Sequence, residues 1–189
     1  MSRIGRQPIP VPQGVTVTID KINNVSVKGP KGELSRQLSQ DMIIKQVDSI
    51  VTVERPTNQY RHRQIHGLTR TLIDNMVKGV NDGYSKQLEI VGVGYRAVIE
   101  NEELVLSVGL SYPARVKPRP GITFEAGTDQ QSRALFVKIS GINKETVGQQ
   151  TADIQRLRPP DPYKGKGIRI FGQKIKLKPG KRGTAGGKK

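Results

Sequence analysis

The stretch Ile50-Val51-Thr52-Val53-Glu54-Arg55-Pro56-Thr57-Asn58 decides the fold, because the hydrophobic period changes inside it. Upstream of Pro56 the apolar residues mostly alternate: Val15, Val17 and Ile19, then Val25 and Val27, Leu34 and Leu38, Ile44, and Ile50 with Val51 and Val53. A period of two marks strands with one buried face. The breaks at Asp20 to Asn24, Gly29-Pro30-Lys31-Gly32 and Gln46 to Ser49 read as tight turns between antiparallel strands. Downstream the spacing becomes three and four, through Ile65, Leu68, Leu72, Ile73, Met76, Val77 and Val80. That spacing predicts one amphipathic helix, with Thr57 or Asn58 as its N-cap and Gly83 as its stop.

The second half repeats the plan. Leu88 to Val91, Arg96 to Ile99, Leu104 to Val108, Arg115 to Lys117, Ile122 to Ala126 and Ala134 to Ile139 read as strands, with turns at Asn101 and at Gly109-Leu110-Ser111-Tyr112-Pro113. After Gly141, Asn143 is positioned to cap a shorter helix carrying Val147, Ile154 and Leu157. Glu145 falls in its first turn, where a carboxylate complements the helix dipole, and Pro159-Pro160 stops it. Strands followed by one helix, twice, predict an α+β protein made of two similar domains from an internal duplication, each an antiparallel sheet with one packed helix.

Charge sets the class of partner. Among 189 residues, 32 Lys and Arg oppose 16 Asp and Glu, for a formal charge of +16. An excess of that size repels itself in the compact state and favours a polyanion, most often nucleic acid. From Arg158 onward eleven Lys and Arg meet the single acid Asp161, so ten of the sixteen net charges sit on the chain's last segment. The expected organisation is therefore an N-terminal α+β domain at 1–82, a C-terminal one at 83–158 and a basic Pro/Gly/Lys-rich arm at 159–189, its far end from Gly180 ordering only on a partner. There is no Cys, hence no disulfide and no thiolate metal site. Met1 to Pro8 lacks the apolar stretch of a signal peptide, and no run approaches the roughly 18 apolar residues of a membrane span, so a soluble protein is expected.

Several motifs reduce to structure. Gly92-Val93-Gly94-Tyr95-Arg96-Ala97 has the spacing of a dinucleotide fingerprint, but a strand, not a helix N-terminus, is predicted to follow it. Gly29-Pro30-Lys31-Gly32 has the spacing of a KH-domain clamp, yet strands flank it and a hairpin turn is expected. Gly167 to Lys174 lacks the ending of a phosphate-binding loop. His62 and His66, four apart on a helix, have no third ligand in register and read as solvated positions on a basic face with Arg61, Arg63 and Arg70. Glu102-Glu103 reads as a solvated pair in a turn. No catalytic residues, metal ligands, cofactor or small-molecule substrate are expected, nor an anionic membrane surface as partner, since the arm lacks an amphipathic helix with bulky apolar residues.

The specific signal is Arg158-Pro159-Pro160-Asp161-Pro162-Tyr163-Lys164-Gly165-Lys166-Gly167-Ile168-Arg169. Three prolines pre-order an extended backbone, and Gly165 and Gly167 let the main chain approach phosphates with Lys164, Lys166 and Arg169 alongside. Tyr163 offers a ring and a hydroxyl to sugar, base or phosphate. Aromatic residues make up only 4% of the chain, too few for platforms that read single strands, so folded RNA is the expected partner.

This segment, together with Ser2-Arg3-Ile4-Gly5, Val27 to Leu34, His66 to Leu72, Val91 to Ala97 and Gly109 to Pro113, resembles the bacterial and organellar family of large-subunit ribosomal protein six over nearly its whole length. The resemblance implies two domains of like fold. It also implies binding to large-subunit ribosomal RNA near the stalk base and the sarcin-ricin loop, with neighbouring ribosomal proteins and elongation factors close by, in a bacterial cytoplasm or plastid stroma. The family's RNA-contacting motif falls on Pro160, Tyr163, Lys164, Gly165, Lys166 and Gly167, flanked by Arg158 and Arg169, and Lys174 and Lys176 extend the set. After Arg169 the ending departs from the shorter, Tyr- and Glu-containing one expected of the family. The rival reading is a basic protein of other RNAs or anionic surfaces, outside the ribosome.

Overall fold

The computed structural model describes residues 3–128 and 134–180. The chain forms two compact units, one of Met1–Tyr84 with Ile142–Lys144, the other of Ser85–Gly141 with Glu145–Lys189.

In the first unit, β1 (Ile9–Pro10), β6 (Ile50–Glu54) and β5 (Ile43–Val47) make one antiparallel sheet, and β2 (Thr16–Ile19), β3 (Asn24–Gly29) and β4 (Gly32–Gln37) make another. Helix α1 (Tyr60–Asn81) follows. The predicted alternation buries one face: Val17, Val25, Val27, Val51 and Val53 join Ile9, Leu38 and Met42 against Ile73, Met76, Val77 and Val80 of α1. Each such side chain contributes about 1.5–3 kcal/mol by leaving water. Gly29-Pro30-Lys31-Gly32 is a two-residue hairpin with Gly29 opposite Gly32. A Cβ on Gly29 would lie 2.8 Å from the Val80 side chain, so β3 can meet the end of α1 only through glycine.

Three expectations about α1 need correction. Gln59 occupies the N-cap and makes no side-chain cap bond. Thr57 Oγ1 lies 2.7 Å from His62 Nδ1 and accepts only the N–H of Gln59 itself, at 3.4 Å, while Asn58 Oδ1 accepts from Arg55 Nη2 at 2.8 Å, so neither side chain caps the amides of the first helical turn. Leu68 is exposed, because the buried face runs through His66, Thr69, Ile73, Met76, Val77 and Val80 and leaves position 68 outside its phase. His66 is 3% exposed and its Nε2 lies 2.8 Å from the Val53 carbonyl: it is a bonded core residue, not a solvated one. Gly83 does end the helix, at φ 75° with its N–H donated to the Lys78 carbonyl.

The second unit follows the same plan. β8 (Arg96–Glu100), β9 (Glu103–Ser107) and β10 (Ala114–Val116) form an antiparallel three-stranded sheet in the order β10-β9-β8. The other sheet runs β11 (Ile122–Thr128), β12 (Leu135–Gly141), β7 (Tyr84–Val91), β13 (Gly167–Ile170). Helix α2 (Lys144–Leu157) starts directly after Asn143, carries Glu145 in its first turn and buries Val147 and Ile154. Each unit thus holds one helix, as expected, but two small sheets in place of one. The strand β8, not a helix, follows Gly92-Val93-Gly94, which removes the dinucleotide site. Gly92 is there for packing: its Cβ would lie 2.5 Å from the Tyr95 ring. Glu102 sits in the β8–β9 turn at φ 66°, while Glu103 opens β9 and pairs with Lys117 at 3.6 Å, so the two carboxylates do not act together.

Candidate nucleic-acid interface

The interface is built outward from β13. Ile168 pairs with Ile90 and Arg169 with Glu89 in the antiparallel register of β13 on β7. Ile168 is fully buried, and with it the basic segment is anchored in the second unit's sheet. Strand alternation then turns Arg169 to the opposite face, where its Nε donates to Glu89 Oε2 at 2.7 Å.

Between α2 and β13 the chain folds on itself around Asp161. The Asp161 N–H donates to the Lys166 carbonyl at 2.8 Å and its carbonyl accepts from Gly165 N–H at 2.9 Å. Its carboxylate accepts from the N–H groups of Tyr163 and Lys164, at 3.3 and 2.8 Å. An aspartate that binds amides two and three residues on is a turn-forming residue, so the one acid of the segment organises its cations. Arg158 accepts the Ile168 N–H on its carbonyl at 2.8 Å and closes the base of the loop. Both glycines are required: Gly165 sits at φ 70°, and at Gly167, φ 137°, a Cβ would lie 2.6 Å from the Pro159 carbonyl oxygen and 2.8 Å from Pro160 Cα.

Two surface cavities result. One of about 400 Å³ is lined by Arg158, Lys164 and Lys166 together with Pro159 and Asp161. The other, about 530 Å³, gathers Lys164, Gly165, Arg169 and Lys174. Lys174 is brought there by a turn at Gly172, φ 78°, which sends the chain back until Lys178 N–H meets the Pro162 carbonyl at 2.9 Å. Tyr163 is 58% exposed beside these cations, and Lys176 is exposed but lines neither cavity. Sequence reasoning missed Asp161 and Glu89. The first carried a readable signal, an aspartate followed by Pro and then Gly at turn spacing, whereas the second had none, because its partner lies 80 residues away. Lys181 to Lys189 lie outside the described residues.

Among the described residues no group of His, Cys, Asp or Glu is placed to hold a metal ion, and no helix is long and apolar enough to cross a membrane. A duplicated α+β protein of formal charge +16, with a preordered, cation-lined loop between α2 and β13, defines the class: a basic structural protein whose charge favours a polyanion. The chain belongs to the family of Ribosomal protein L6, whose model matches it twice, at residues 11–83 and 91–170. It is 52% identical over 186 residues to Large ribosomal subunit protein uL6 of Chloroflexus aggregans, covering 98% of this chain and 100% of that protein. The same protein of Roseiflexus sp. strain RS-1 is 53% identical over 191 residues, with 98% and 100% covered. That of Prochlorococcus marinus is 51% identical over 183 residues, with 97% and 99% covered. The first match lies within the first unit and the second covers most of the second unit; the chain is a structural protein, not an enzyme.

Proposed function

We propose that this chain is a constituent of the large ribosomal subunit that binds large-subunit ribosomal RNA near the stalk base and the sarcin-ricin loop, and stabilises the RNA fold where elongation factors engage. Arg158, Lys164, Lys166, Lys174 and Lys176 neutralise phosphates, Tyr163 stacks on sugar or base, and Pro160, Gly165 and Gly167 shape the backbone they stand on. Arg169 frames the same surface from β13. Neighbouring large-subunit proteins share the site, in a bacterial-type ribosome of the cytoplasm or a plastid. The observation that carries this reading is the loop from Arg158 to Ile168, folded in the free chain by Asp161 and two left-handed glycines while its lysines stay exposed. A loop ordered before binding loses less entropy when it docks.

Removing everything from Arg158 onward is a poor test, since it strips β13 from the sheet. The clean test is the triple change Arg158→Gln, Lys164→Gln and Lys166→Gln, assayed on a stalk-base RNA fragment across a salt series. Every phosphate that is no longer neutralised flattens the plot of log affinity against log salt by roughly 0.7–0.9. The expected result is weaker binding with a slope shallower by about 2–3; an unchanged slope would mean that other residues meet the phosphates.

A further inference from the structure

The wider of the two cavities has a lining that phosphate recognition alone does not explain. Val91, Ile175 and Leu177 give it an apolar surface, Lys164 and Lys174 give it positive charge, and Glu89 is its one carboxylate. It lies open at the surface, and its volume of about 530 Å³ falls within the roughly 300–1,000 Å³ of sites that take small organic groups. The Glu89 side chain is 15% exposed, and Oε2 takes Arg169 Nε. Among the described residues Glu89 makes no other side-chain hydrogen bond or ion pair, so Oε1 is left without a donor.

A carboxylate repels the phosphates that its lysine neighbours attract. The donors RNA offers it are the N–H groups of base edges and the 2′-hydroxyl, and base edges become accessible in unstacked nucleotides of loops and bulges. Guanine alone presents two donors side by side, N1–H and the N2 amine, which match the two oxygens of a carboxylate. Adenine and cytosine place a ring nitrogen acceptor beside their amine, and uracil flanks its one N–H with two carbonyls.

We propose that this cavity receives one unstacked guanine of the bound RNA, with its ring against Val91, Ile175 and Leu177, its N1–H and N2 amine on Glu89, and its phosphate beside Lys164 and Lys174. The inference rests on the RNA-binding reading and adds a base-specific contact to it. Glu89 then has two tasks: Oε1 accepts one of guanine's two donors, and Oε2 accepts the other on the lone pair that Arg169 Nε leaves free.

The test uses the full chain and five labelled pentanucleotides, UUXUU with X as guanine, inosine, adenine, cytosine or uracil, followed by fluorescence anisotropy. The guanine pentamer is expected to bind about tenfold tighter than the uracil one, and inosine, which lacks the N2 amine, to lose most of that advantage. In Glu89→Gln the Arg169 bond keeps an acceptor, so the fold is retained. The guanine preference should disappear there while affinity for the all-uracil pentamer stays equal or rises, since a negative charge has left the surface. Equal binding of all five pentamers, or a guanine preference that survives Glu89→Gln, overturns the inference. Free guanosine monophosphate competing as well as the guanine pentamer overturns RNA as the source of the base. The salt series on the stalk-base fragment separately decides the RNA reading, so the two failures are distinguishable.

Discussion

Asp161 holds the backbone N–H of Lys164 at 2.8 Å from its Oδ2, so the only acid of the segment from Arg158 to Lys189 is what fixes the cations around it. Charge counting and geometry therefore disagree about this residue. By charge alone, removing Asp161 from a chain of +16 should improve binding to a polyanion. By geometry, the amides of Tyr163 and Lys164 are left without their acceptor, and a change of this kind costs about 1 kcal/mol of local order. Asp161→Ala is expected to weaken binding to the stalk-base RNA several-fold, with Asp161→Asn in between because its amide oxygen still accepts. Titration of both variants at one salt concentration decides it, and a tighter Asp161→Ala complex would favour the charge account.

Gly167→Ala tests the same loop through its backbone. The added methyl group meets the Pro159 carbonyl oxygen at 2.6 Å, and φ 137° is a conformation L residues rarely adopt. Strain of about 1–3 kcal/mol is expected. Because Gly167 is the first residue of β13, denaturant unfolding of the whole protein, as well as RNA affinity, should register it.

In the first unit, Asp74 is 9% exposed and accepts ion pairs from both Arg70, at 3.1 Å, and Lys78, at 2.9 Å. Arg70 also donates from Nε and Nη2 to the carbonyls of Gln7 and Pro8, and so ties the entry to β1 onto α1. Asp74→Ala leaves the Arg70 guanidinium, 12% exposed, without its counter-charge. A loss near 3 kcal/mol is expected, the low end for an interrupted buried pair, since Lys78 remains solvated. Urea denaturation measures it.

Acid should act on the second unit through Asp153. The hydrogen bond from Arg119, with a second from Gln149, holds its carboxyl below the ordinary aspartate value of 3.8. A carboxylate with a depressed folded-state pKa stabilises fully above the unfolded value and loses that contribution as pH falls through the folded one. Melting temperature is thus expected to be insensitive to this group from pH 7 to about 5 and to fall below about 4. Asp153→Asn should show a smaller drop between pH 5 and pH 3 than the unchanged protein.

Much of this molecule is written locally. A strand buries alternate residues and a helix buries every third or fourth, so the strands β2 to β12, both helices and their repetition follow from hydrophobic spacing, with Gly and Pro as punctuation. The concentration of charge after Arg158 and the proline and glycine order within it are likewise linear properties, which is why the basic segment and its family resemblance were legible. What spacing cannot say is how strands group. The division of each unit into two small sheets depends on which edges pair, and β13 reads from sequence as part of an irregular arm because four residues, Gly167 to Ile170, hold too short a pattern to mark a strand.

The sequence by itself determined the α+β class, the duplication, the sign and location of the charge, and the residues of the basic loop, because each of these depends on neighbours in the chain. Tertiary structure alone decided the states of His66, Glu89 and Arg169. His66 is buried with its ring on the Val53 carbonyl, 13 residues away. Glu89 and Arg169 meet because β13 crosses back onto β7, and that pairing turns a residue that looked like one more phosphate-binding cation into half of an ion pair beside a cavity. Such pairs join residues whose separation leaves no periodic trace, so only the folded chain reveals them.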